Sequence, residues 1–162
     1  MNNLKRKYLA FLLKLGAVAL VFTLLFCFVV TVRIVRGNAM YPSVRDGQLI
    51  LVSRLSRVFH DSVVLYRTED GKEQIGRVLG TEGEEVVIDP EEGIYVNGNY
   101  QFQTIPFISP NGELAYPYRV PEDFLFLLND YREDISDSRT FGAVSKKAVL
   151  GVVIFAMQYR GF

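Results

Sequence analysis

Residues 15–32 pass without a single charge, and Leu, Val, Phe and Ala fill most of them. That run constrains everything after it, because eighteen apolar residues wound as a helix nearly cross a hydrocarbon core of about 30 Å. Extending back to residue 8 completes the span, with Lys14 close enough to its start to snorkel to the headgroups. A secretory signal peptide would carry a shorter apolar core followed by a small-x-small cleavage site. Here the run ends in Thr31-Val32-Arg33-Ile34-Val35-Arg36, which offers no such site. The expectation is an uncleaved single-pass anchor over 8–32 in the plasma membrane. Lys5, Arg6, Lys7 and Lys14 outweigh Arg33 and Arg36, so residues 1–7 are expected in the cytoplasm and residues 33–162 outside.

The outer segment is long enough for one domain with its own core. Cys27, the one cysteine, falls in the apolar run, so no intramolecular disulfide can staple that domain. The formal net charge is zero and no basic stripe marks a nucleic-acid surface. Short apolar runs at 49–52, 63–66, 86–88, 124–127 and 149–155 read as strands. Asp46-Gly47, Asp70-Gly71, Glu92-Gly93 and Asn97-Gly98 punctuate them. Asn97-Gly98, between Ile94-Tyr95-Val96 and Tyr100-Gln101-Phe102, predicts a two-residue hairpin, because a type I′ turn needs positive φ at both central positions. No long amphipathic helix follows the anchor. The fold class is therefore mainly β and antiparallel, preceded by one transmembrane helix. Residues 103–121, with four prolines and Phe107, Tyr116 and Tyr118, predict a loop packed over the sheet, with a membrane or partner surface as the alternative.

Five boxes run through the chain in order. The anchor comes first. Gly37-Asn38-Ala39-Met40-Tyr41-Pro42-Ser43-Val44 follows, then His60-Asp61-Ser62-Val63-Val64-Leu65. Ile75-Gly76-Arg77-Val78-Leu79-Gly80 is the fourth. Asp130-Tyr131-Arg132 with Asp137-Ser138-Arg139-Thr140-Phe141-Gly142 is the last. This ordered set resembles the type I signal peptidases, whose single-domain Gram-positive form has the same compact spacing. The resemblance implies a signal-peptidase-like β domain. In that family a serine nucleophile stands immediately before the Met, and a general-base lysine stands immediately before the Arg-Val. A second serine in the last box orients the lysine. Those slots hold Ala39, Gly76 and Ile135 here, and Asn129 replaces the glycine that opens the last box.

A serine attacks only when a neighbouring base takes its proton, and a lysine is that base only when burial lowers its pKa. A methyl group and a hydrogen do neither. By sequence, Ser43 and Lys72 are the nearest substitutes, but one lies on the wrong side of the Met and the other in an Asp-Gly turn. What the resemblance leaves intact is architectural: Met40, Pro42, Arg77, Asp130, Arg132, Asp137, Ser138, Arg139 and Gly142. The charged set in the last box reads as a salt-bridge network. It lacks a calcium-loop pattern and a nearby His, so no metal and no cofactor are expected. His60 reads as a strand-end residue.

The resemblance extends to a catalytically degenerate subgroup associated with surface pilus assembly. It implies a membrane-anchored accessory or chaperone that binds pilin subunits or precursor segments in the former substrate groove, near their sortase. The alternative is an active signal peptidase working through substituted residues. A purely structural membrane-surface protein is the third possibility. Whether space beside Ala39 stays open, or is filled by Ile135 and Tyr41, discriminates among them.

Overall fold

The computed structural model describes residues 2–89, 92–101 and 114–157. Helix α1 covers Asn2–Val29 and leads into strand β1, Val30–Ile34. Then come β2 (Leu49–Ser53), β3 (Val63–Arg67), β4 (Glu73–Thr81), β5 (Glu85–Asp89), β6 (Gly93–Val96) and β7 (Asn99–Gln101). After these lie β8 (Tyr118–Arg119), β9 (Phe124–Leu128), a short helix α2 (Ser138–Phe141), β10 (Val144–Ser145) and β11 (Val149–Ala156).

In α1 the window Lys5–Leu24 has 20 residues and a mean hydropathy of 1.8, and none of it packs against the domain. At about 1.5 Å per residue it is long and apolar enough to cross a membrane. The helix stops three residues before the predicted end of the anchor. Val29, Val30, Thr31 and Val32 are consecutive β-branched residues, stiff at χ1 and better suited to a pleated strand. Residues 30–32 therefore belong to the domain, where β1 pairs with β2 from Val30 opposite Ser53 to Ile34 opposite Leu49.

All strand pairs are antiparallel. Seven strands form one sheet in the order β1-β2-β11-β3-β4-β9-β10, and four form a second in the order β7-β6-β5-β8. The predicted strands and the Asn97-Gly98 hairpin are present, with φ of 51° and 76° at the two turn residues. In β9 both faces are buried. Leu125 and Leu127 join the cluster of Val64, Tyr66 and Val78, while Phe126 and Leu128 join Val86, Ile88 and Ile94. This strand thus welds the two halves of the core. Of the stretch 103–121, the described part packs as predicted: Leu114, Tyr116 and Tyr118 lie on the second cluster. Phe107 and Tyr100's neighbour Phe102 lie outside the described residues.

The large sheet curls enough to bring β1 and the start of β4 together, although three strands separate them in the sheet. Val35 and Ile75 share one buried cluster, and Arg33 Nε donates to Glu73 Oε2 at 2.9 Å. Beta-strand β9 begins its pairing with β4 only at Arg77, so residues 73–76 have β3 on one side alone. The outer edge of β1 and this stretch of β4 therefore face each other across a cleft of about 650 Å³.

Candidate functional site

Residue 39 occupies a turn that closes on itself. Gly37, at φ 85°, donates its amide to Asp46 Oδ1 at 2.7 Å. The Tyr41 amide donates to the Asn38 carbonyl at 2.9 Å and the Val44 amide to the Met40 carbonyl at 2.8 Å. Met40 is fully buried with Val35, Val44, Ile50 and Val52, which nails the turn to the sheet. Tyr41–Pro42 is a cis peptide. The carbonyl of Ala39 accepts from the Tyr131 amide at 2.9 Å, tying this turn to the last box.

The arginines of the boxes hold the frame together. Arg77 clamps Asp130 with two bonds, Nε to Oδ1 at 2.7 Å and Nη2 to Oδ2 at 2.6 Å. Its Nη1 donates to the Asp61 carbonyl at 2.8 Å, which links the third box as well. The bidentate geometry fixes direction as well as distance, and Asp130 in turn pushes the Arg77 pKa up. Asp137 and Arg139 form a second fork in which both side chains are almost wholly buried, with Nη2 to Oδ2 at 2.7 Å. Asp137 also accepts the Asn129 amide, and Arg139 donates to the carbonyls of Arg132 and Asp134. Ser138 Oγ accepts the Leu127 amide at 2.9 Å, and Gly142 caps α2 at φ 83°. The Arg132 guanidinium is the exception: one of its nitrogens is buried without a partner, and burial followed by the neighbouring Arg139 draws its pKa down.

Gly76 is buried in β4, and its surroundings are tight. A Cβ there would lie 3.3 Å from Leu127 Cβ and 3.4 Å from Tyr66 Cε1. Tyr66 is itself fully buried and donates its hydroxyl to Gln74 Oε1 at 3.0 Å, so its ring is held in place. Burial drives that phenol far above its ordinary pKa, leaving it a donor and never a base near neutral pH.

Space remains beside Ala39. A cavity of about 140 Å³ is lined by Val35, Asn38, Ala39, Gln74, Ile75, Asn129, Asp134 and Ser136. Neither Ile135 nor Tyr41, the two side chains weighed as able to fill that space, lines it. The sequence reading missed Ser136, whose hydroxyl donates to the Asp134 carboxylate on the cavity wall. Its signal was the string Asp134-Ile135-Ser136-Asp137, where box alignment drew attention to position 135 instead. Ile135 offers its carbonyl to the Thr140 hydroxyl.

The substitutes considered from sequence stand apart from this cavity. Ser43 accepts a 3.4 Å bond from Arg77. Lys72 pairs with Asp70 at 2.6 Å in an exposed turn, and that bond raises its pKa, the reverse of what a general base needs. His60 Nδ1 donates to the Leu79 carbonyl at 3.0 Å and its Nε2 faces Glu84, so it ties a strand end to a turn.

Comparison with known proteins follows the same outline. The model of the family described as signal peptidase, peptidase S26, matches residues 8–158. Signal peptidase IB of Staphylococcus aureus is 23% identical over 167 residues, covering 86% of this chain and 85% of that protein. Signal peptidase I of Bacillus caldolyticus is 28% identical over 155 residues, covering 80% and 84%. A crystal structure of a signal peptidase I from Enterococcus faecalis V583 matches with a TM-score of 0.49 at 23% identity, covering 60% of this chain and 97% of that one.

Proposed function

We propose a peptide-holding role for this chain, which belongs to the signal peptidase S26 family. In this proposal it is a non-catalytic, membrane-anchored accessory or chaperone of surface pilus assembly. It retains extended segments of pilin subunits or their precursors, close to the sortase that joins them. The observation that carries the proposal is the pairing of a crowded position 76 with an open cavity. Tyr66 and Leu127 occupy the space around Gly76, while about 140 Å³ stays free beside Ala39.

The chemistry follows from those residues. The Ala39 methyl has no lone pair with which to attack a carbonyl, and no lysine lines the cavity to accept a proton. A peptide laid in the cleft still finds main-chain partners. The free edge of β1 and the unpaired side of residues 73–76 can each add a strand, which is binding by β-augmentation. A segment held this way is released intact.

A second reading is a working signal peptidase, favoured by the names of the relatives. It needs another nucleophile, and Ser136, hydrogen-bonded to Asp134 on the cavity wall, is the hydroxyl available. One experiment separates the two. The full chain in lipid nanodiscs is mixed with a pilin precursor bearing its signal sequence, and binding and cleavage are read from the same samples. Binding without cleavage is the expected result. Cleavage that disappears in Ser136→Ala would overturn the proposal in favour of the second reading.

A further inference from the structure

The loop after β2 returns the chain to the foot of α1. The Arg54 amide donates to the carbonyl of Val29, the last residue of the helix, at 2.9 Å. Residues 8–29 of α1 span about 33 Å of helix, so Val29 stands near the edge of a hydrocarbon core of about 30 Å. With α1 as the anchor, a reading on which this inference rests, the loop lies at the depth of the lipid headgroups.

Its composition suits that depth. Leu55 and Phe59 are 74% and 63% exposed, two large apolar side chains lying mostly outside the core. Arg54 and Arg57 alternate with them, both exposed, and neither guanidinium has a hydrogen bond or ion pair to the described residues. A cleft of about 410 Å³ opens between these arginines, Ser56 and Lys146. Lys146 is already paired with Glu82 at 2.8 Å, so the two arginines supply the uncompensated charge. Guanidinium forks match phosphate oxygens in geometry, and basic side chains at the surface of an anionic leaflet are drawn to it.

We infer that this cleft binds the headgroup of an anionic phospholipid, with Arg54 and Arg57 on its phosphate and Leu55 and Phe59 in the acyl layer beside it. The site clamps the β domain against the bilayer and fixes its orientation.

The chain has no tryptophan, so Phe59→Trp gives the full-length protein a single depth reporter. It is placed in nanodiscs of brominated lipids, either pure phosphatidylcholine or with phosphatidylglycerol added. Leu55→Trp serves as a second reporter from the same loop. Quenching several-fold stronger in the anionic discs, reduced to the zwitterionic level by Arg54→Gln with Arg57→Gln, is the expected result. Equal quenching in both compositions, unmoved by the arginine changes, overturns the inference. Loss of quenching on adding millimolar inorganic phosphate also overturns it, and assigns the cleft to a soluble anion. Phe22→Trp, made separately, reports on α1. An unquenched Trp there brings down the anchor reading and this inference with it. A quenched one beside unquenched loop reporters brings down this inference alone.

Discussion

At position 76 a side chain would meet its neighbours at once, with a Cβ 3.3 Å from Leu127 Cβ and 3.4 Å from Tyr66 Cε1. Restoring the expected residues with Ala39→Ser, Gly76→Lys and Ile135→Ser returns the chemical groups but not the room for them. Overpacking against Tyr66 and Leu127 should cost about 1–3 kcal/mol. The triple variant is expected to melt lower and still to leave a precursor uncut. Efficient cleavage by it would mean that Tyr66 yields easily. At position 137 the logic is the opposite. Asp137→Ala removes the carboxylate that neutralises the buried Arg139 guanidinium, and breaking such a pair costs about 3–5 kcal/mol. Denaturant unfolding should show that loss, with the larger share in stability even where peptide binding survives. Ala39 and Gly76 were legible as substitutions within a box. The crowding around Gly76 was not, because Tyr66 reaches it from a neighbouring strand.

Among the elements, β11 depends on a single close approach. A Cβ at Gly151 would fall 2.5 Å from the Ser53 carbonyl oxygen, at an irregularity in the β11 pairing with β3. A backbone atom cannot swing aside, so Gly151→Ala should destabilise by about 1–3 kcal/mol, read as a lowered melting temperature. A neutral result would show that the β2–β11 ladder slides to accommodate it. The strands that were legible from apolar runs owe them to cover on both faces, as in β9, since one buried face alone demands only alternation. Four strands were not legible: β8 and β10 have only two residues each, and β1 and β4 lack a strand pattern. Beta-strand β1 continues the apolar run of the anchor, and only its β-branching marks the change from helix. In β4, Glu73, Gln74, Arg77 and two glycines break the pattern. Those glycines are required by the side chains packed on them, among them Val86, 3.0 Å from a Cβ at Gly80.

At the scale of the whole molecule, the curled seven-stranded sheet has its β1 edge bridged to the start of β4 by Arg33 and Glu73. Hydrogen bonding from Arg33 holds the Glu73 carboxyl below its usual range. A lowered carboxylate pKa means that the clasp is fully present at neutral pH and is lost as pH falls through the depressed value. Both side chains are partly exposed, so the clasp adds under about 1 kcal/mol to folding. Its weight falls on access to the cleft. Glu73→Gln is expected to raise the affinity for an extended peptide a few-fold at pH 7, measured by fluorescence anisotropy. Weaker binding would mean that the clasp shapes the cleft instead of narrowing it.

The bond from the Tyr131 amide to the Ala39 carbonyl has a consequence for descent. The main chain, not the side chain, fixes where residue 39 stands. A lineage that exchanged the group on that Cβ would keep the turn, the cavity and the neighbouring edges undisturbed. Shape and reactivity are inherited separately at such a position, so one can be discarded while selection goes on acting upon the other.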